Sequence, residues 1–168
     1  VKIASKYFGE IISADSRQIY KGMDIGTGKD LNEYHYKNKT IPHHLIDILN
    51  PDTDYSVYQF KQDFFKSYDL INKKQSLPIL CGGTGFYIES VLLNYDMPHI
   101  GPNQILRKEY EQKDLNILIK ILIDLDHTMY DEKFHITKRR IIRTIEIIQS
   151  GYKKDNQPIR NIDNPLII

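Results

Sequence analysis

Residues 77–93, "LPILCGGTGFYIESVLL", restrict the fold more than any other stretch. Leu77–Cys81 is an apolar run of strand length. The turn "GGTG" follows at once, and helical residues run from Phe86 to about Leu93. A strand that turns directly into a helix meets its next strand through a crossover, which favours parallel pairing. "EIISA", 10–14, is a second apolar strand, stopping at Asp15, and "IPHHLIDI", 41–48, is a further strand candidate. "YSVYQFKQDFFKSYDLINKKQ", 55–75, reads as a helix opened by a capping box, Ser56 and Gln59. Val57, Phe60, Phe64 and Ile71 give that helix an apolar face. Strand and helix therefore alternate, and the first half is expected to be α/β with a parallel sheet.

From Pro98 onward no strand is predicted before Leu166–Ile168. "DLNILIKILIDL", 114–125, is a strongly apolar helix, and "TKRRIIRTIEIIQSG", 137–151, is another, with Thr137 as N-cap and Gly151 as stop. The expected organisation is an α/β core over 1–94, a helical insertion over 95–150 and a return segment over 151–168. At the start, Val1, Ile3, Ala4 and Tyr7 recur with helical spacing before Gly9, taken as a left-handed stop. Both ends read as cuts through structure, so a fragment is expected.

Composition narrows the function classes. Apolar residues make up 40% and charged residues 27% of 168, as in a globular domain. A net charge of +1 gives no global attraction to nucleic acid, so any such site must come from local clustering. One cysteine, Cys81, excludes a disulfide framework and fits a reducing, cytoplasmic setting. It is expected to be buried and unreactive. No apolar run is long enough for a transmembrane helix.

"KGMDIGTGKD", 21–30, imitates a phosphate-binding loop but departs from it. Gly22 and Gly28 are separated by five residues instead of four, Asp30 stands where Ser or Thr should hold magnesium, and no strand precedes it. No phosphate role is expected for Lys29. In "PHHLID", adjacent histidines in a strand point to opposite faces, so no zinc site is expected.

Three stretches could carry chemistry. Asp15 sits where open α/β sheets bind ligands, beyond the carboxyl end of a strand. It can act as a base, hold a metal through water, or cap the short helix beginning near Ser16. "CGGTG" can aim backbone N–H groups and the Thr84 hydroxyl at an anion, or can simply be a tight turn. In "KRRIIR", 138–143, Arg139 and Arg143 share a helical face with Glu146, opposite Ile141, Ile145 and Ile148. That face is expected to point outward, either as phosphate contacts or as an ordinary solvated surface.

Taken together, "GEIISADSRQIYKGMDIGTGKD", "IPHHLIDI", "YSVYQF", "LPILCGGTGFYIESVL" and "RRIIRTIEI" resemble, in order and spacing, the tRNA dimethylallyltransferases, also called tRNA isopentenyltransferases. The resemblance covers about residues 1–150, and "SADSRQIYKGMDIGT" is its most specific block. It implies a P-loop NTPase-like parallel sheet with a helical insertion that binds tRNA, truncated at both ends. It implies transfer of the dimethylallyl group of dimethylallyl diphosphate, with Mg2+, to N6 of an adenine beside the anticodon. The base is flipped out of the anticodon stem-loop to react. Asp15 matches the family's general base, and Thr84 a threonine lining the reaction channel. Asp15, Ser16, Arg17 and Gln18 match one tRNA-contacting stretch. Arg107 and the segment Arg139, Arg140, Ile141, Ile142 and Arg143 match others.

The resemblance also places the family's phosphate loop upstream of Val1 and further core beyond "PLII". The chain alone is therefore expected to be inactive. Gly28 stands where the family usually has Ala, and the insertion is short and Asp/Tyr-rich. The expected protein is a cytoplasmic monomer with no membrane contact. Three other readings stay open: an adenylate isopentenyltransferase acting on free AMP or ADP, a non-catalytic RNA-binding remnant, and a nucleotide kinase, for which residues 95–150 offer no lid.

Overall fold

The computed structural model describes residues 1–93, 95, 97–152, 162, 165 and 166. Two compact units divide them, one built on Val1–Tyr95 with the described residues beyond 158, the other on those between Asp96 and Gln157.

The first unit runs α1 (Lys2–Tyr7), β1 (Gly9–Ser13), a 3₁₀ turn (Leu31–Tyr34), β2 (His35–Tyr36), β3 (Lys39–Thr40), β4 (His43–His44), α2 (Val57–Lys73), β5 (Leu77–Cys81) and α3 (Gly85–Leu92). Three strands form a parallel sheet in the order β4-β1-β5, with Ile12 opposite both His44 and Leu80. The second pair, β2 and β3, is a short antiparallel hairpin turning through Lys37 and Asn38, both at positive φ.

Alternation along β1 divides its side chains between two layers. Ile12, with Ala14 just past the strand, packs with Leu45, Phe60, Phe64, Phe65, Ile71, Tyr87 and Val91, joining the sheet to α2 and α3. Ile11 faces the other way, onto Ala4 and Ile41. With both faces covered, every residue of β1 is buried, as a central parallel strand requires. The Phe60 and Tyr87 rings stack at 4.2 Å and 13°.

Glu10 is the one carboxylate inside β1. It accepts from His44 Nε2 at 2.7 Å and from Lys74 Nζ at 3.0 and 3.1 Å. Burial pushes its pKa up, but these partners outweigh burial and hold it below the ordinary value. The capping box of α2 is present: Ser56 Oγ accepts from Gln59 N–H, and Gln59 Oε1 from Ser56 N–H.

Several local expectations are corrected. The left-handed stop of α1 is Phe8 (φ 53), not Gly9. Gly9 is needed for closeness instead, since a Cβ there would lie 2.9 Å from Leu77 O. The strand expected over 41–48 shrinks to two residues because Leu45 and Asp47 turn left-handed, at φ 62 and 54. Cys81 is exposed, at the carboxyl end of β5, which is an edge strand among the described residues.

The second unit holds α4 (Gln104–Glu111), α5 (Leu115–Asp126), a 3₁₀ turn (His127–Met129) and α6 (Lys138–Gln149). Leu106, Leu118, Leu122, Ile141, Ile142 and Ile145 form its core. Thr137 caps α6, and Gly151 follows it at φ +70. Among the described residues no helix is long and apolar enough to cross a membrane. Of the return strand expected at Leu166–Ile168, only Leu166 is described, outside any strand, and 167–168 lie outside the described residues.

Candidate active site

Parallel pairing of β1 with β5 brings Asp15 and Thr84 to the same end of the sheet. Ala14 N–H donates to Cys81 O at 2.8 Å, and Thr84 N–H donates to Ala14 O at 3.0 Å. The two strand ends are stitched across Gly82, where an added Cβ would sit 2.3 Å from Ala14 C and O. Only glycine permits that crossing. Gly83 serves the site itself, since a Cβ there would come within 3.2 Å of Asp15 Oδ2.

Thr84 occupies the N-cap position of α3, yet its hydroxyl makes no capping bond to the helix. It accepts from Ser16 N–H at 2.9 Å and donates to Ser16 Oγ at 3.2 Å. Asp15 is 8% exposed. Its Oδ1 accepts from Arg17 N–H at 2.9 Å, with Arg17 Nε 3.7 Å away. Its Oδ2 lies on the Gly83 side. The carboxylate is thus fixed by one oxygen while the other faces the glycine turn.

The structure adds residues that the sequence did not single out. Tyr87, one turn into α3, is buried, and its phenol is pushed up to about 12 by burial first and then by Tyr20 and Asp15. It stays protonated beside the carboxylate. Spacing from Thr84 to Tyr87 is one helical turn, the only sequence signal available for it.

Gln18 acts as a strap. Its Oε1 accepts from Ser13 Oγ at 2.7 Å, and its Nε2 donates to Gly28 O at 2.9 Å. The Walker-like loop is closed from within. The buried Lys29 ammonium bonds Tyr20 O and Asp47, and Asp24 at 3.3 Å. Burial alone would lower its pKa, but Asp47 and Asp24 raise it. Its charge is spent inside the loop.

Helix α6 corrects the expected basic stripe. Glu146 is buried, and four donors converge on it: Asn103 N–H at 2.9 Å, Arg107 Nε at 2.7 Å and Nη2 at 2.9 Å, and Arg143 Nη1 at 3.1 Å. Arg143 Nη2 also donates to Ile100 O at 2.8 Å. The Arg143–Glu146 face therefore points into the unit, not outward. Ile141 and Ile142 are core residues whose side chains hold the helix down and present no surface to RNA. Arg139 and Arg140 are exposed.

Among the described residues no group of three His, Cys, Asp or Glu side chains could hold a metal. A magnesium ion carried on a diphosphate takes only one or two protein carboxylates, and Asp15 is the carboxylate at these strand ends.

The family model for IPP transferase matches residues 18–165. The chain belongs to the IPP transferase family. It is 47% identical over 145 residues to tRNA dimethylallyltransferase 2 of Bacteroides fragilis, covering 86% of this chain and 47% of that protein. The full-length tRNA isopentenylpyrophosphate transferase of Bacillus halodurans superposes with a TM-score of 0.54 at 33% identity, over 88% of this chain and 49% of that one. A eukaryotic dimethylallyltransferase solved acting on tRNA shares the fold, with a TM-score of 0.69 at 24% identity, over 91% and 38% of the two chains. The chain spans about half the length of the curated relatives it matches. Its parallel α/β unit is the IPP transferase fold.

Proposed function

We propose that this IPP transferase chain forms part of an enzyme that moves the dimethylallyl group of dimethylallyl diphosphate to N6 of the adenine beside the anticodon in tRNA. The observation that carries the reading is Asp15, held by one oxygen at the end of β1 with Thr84 and Ser16 beside it. In the reaction the adenine nitrogen attacks the prenyl C1. The carbon–oxygen bond to diphosphate breaks, and the N6 proton passes to the Asp15 carboxylate. A positioned base of this kind is typically worth about 10²–10⁴ in rate. Thr84 and Ser16 offer hydroxyls at the same strand ends for orienting the acceptor base.

Arg17, exposed beside Asp15, and Arg139 and Arg140 on α6 supply cations for RNA phosphates. Arg107 and Arg143 contribute what Glu146 leaves free. Magnesium, when bound with the diphosphate donor, would neutralise its charge, and Asp15 is the carboxylate at these strand ends that could hold it. The enzyme works in the cytoplasm as a monomer.

The test is prenyl transfer by the protein as its gene encodes it, with labelled dimethylallyl diphosphate and tRNA and AMP offered side by side. Label in tRNA is the expected result. Label in AMP alone would move the activity to free nucleotides. Label in neither, with tRNA still bound, would leave an RNA-binding protein.

A further inference from the structure

The loop between the 3₁₀ turn and α6 in the second unit carries a feature that the transfer chemistry does not use. Phe134 is 52% exposed, although it is among the largest apolar side chains of the unit. It does not wave freely. Phe134 N–H donates to Asp131 O at 3.2 Å, and His135 N–H to the same oxygen at 2.8 Å. Lys133 N–H donates to Asp131 Oδ1 at 2.8 Å.

His135 locks the loop from below. It is 4% exposed, and its Nδ1 accepts from Asp131 N–H at 3.0 Å. Thr144 Oγ1 donates to Arg140 O, which leaves it to accept from His135 Nε2 at 2.8 Å. Tyr130 stacks on His135 at 5.7 Å and 20°, and Phe134 meets His135 edge-on at 5.0 Å and 86°.

Arg140 completes the arrangement. Its guanidinium carbon lies 5.0 Å from the Phe134 ring centroid, and its Nη1 donates to Phe134 O at 3.0 Å. An exposed ring and an exposed guanidinium are thus fixed against each other before any ligand arrives. Their sequence neighbours Lys133 and Arg139 are also exposed.

We propose that Phe134 and Arg140 form a stacking platform for one unpaired nucleobase of the RNA substrate. The proposal rests on the tRNA reading and deepens it. Unpaired bases are recognised by stacking on aromatic rings and on arginine planes, and neighbouring cations hold the flanking phosphates. A locked loop lowers the ordering cost of binding. An anticodon loop supplies unpaired bases, whereas duplex RNA supplies none. One edge of Phe134 rests on the buried His135, while about half of the side chain stays open to solvent.

The experiment is equilibrium binding of the gene-encoded protein to an anticodon stem-loop RNA, and to a set in which each loop nucleotide in turn is abasic. Stacking of one base is worth roughly a fivefold to hundredfold change in affinity. Wild type should lose that much at one loop position. Phe134→Leu should lose as much on the intact loop and nothing further at that position, while Phe134→Tyr binds as wild type does. Arg140→Lys, which keeps the charge and removes the plane, should show the same loss at the same position.

Phe134→Leu binding the intact loop like wild type would overturn the platform, as would a loss that adds to every abasic position alike. A wild-type protein that neither binds nor modifies tRNA would remove the functional reading and the platform with it. Binding or transfer by wild type alongside an indifferent Phe134→Leu would remove the platform alone.

Discussion

Replacing Glu146 by alanine strips a buried carboxylate from beneath two arginines. The residue is 3% exposed and accepts from Asn103 N–H, Arg107 Nε and Nη2, and Arg143 Nη1. Removing one partner of a buried ion pair costs about 3–5 kcal/mol, because the remaining charge is stranded. The arginine side chains here are 33% and 34% exposed, so water can recover part of their solvation. The expected loss is therefore about 2–3 kcal/mol, below the fully buried range. Glu146→Gln keeps the shape and one acceptor and should cost about half as much, roughly 1–1.5 kcal/mol.

The assay is urea unfolding followed by far-ultraviolet circular dichroism, repeated down the acid range. Burial pushes the Glu146 carboxyl up, but Arg107, Arg143 and the Asn103 N–H outweigh it and hold it below its ordinary value. A depressed carboxylate contributes stability that is present above the unfolded pKa, about 4.3, and is lost as pH falls through the folded value. Wild type should lose stability below about pH 4 more steeply than Glu146→Gln. Wild-type stability for Glu146→Ala at neutral pH, or identical acid slopes for wild type and Glu146→Gln, would refute the reasoning.

Three further outcomes follow from the first unit. Asp15→Asn should lower prenyl transfer by at least about a hundredfold while leaving stem-loop affinity nearly intact, measured by single turnover and filter binding; unchanged turnover removes Asp15 from the mechanism. Gly82→Ala places a Cβ 2.3 Å from Ala14 backbone atoms, which no rotamer can relieve, so thermal melts should show a loss of about 1–3 kcal/mol or more; a wild-type melt would mean the strand ends are not stitched as described. Lys29→Met should speed proteolysis within 20–30 without changing KM for dimethylallyl diphosphate; a raised KM with the loop still protected would restore a phosphate role.

Legibility of the fold tracked the range of the forces involved. The α2 capping box and the Thr137 cap were readable because they are local bonds between residues three apart. Alternation of strand and helix was enough to expect the parallel pairing of β1 and β5. The short β4 was not readable, because an apolar run such as "IPHHLIDI" promises a strand regardless of backbone sign. Left-handed turns at Leu45 and Asp47 need no glycine here, so the sequence carries no mark of them. Cys81 is expected buried by residue type, but it is exposed, on a strand that is an edge among the described residues.

The candidate site divides along the same line. Asp15 and Thr84 were legible because both follow strand ends, and topology alone brings strand ends together. The Arg143 face is expected outward and found inward because helical periodicity says which residues share a face and never which way that face points. Glu146 turns that face inward: one buried carboxylate converts two apparent surface cations into the framework of the unit. The consequence is a division of labour among arginines of a single segment. Arg143 fixes α6 to the residues before α4, whereas Arg139 and Arg140, one turn earlier, are exposed. On the proposed function, a charge-reversing change at Arg143 should act mainly through stability, and one at Arg139 mainly through RNA affinity and its salt dependence, since a cation that meets a phosphate releases counter-ions.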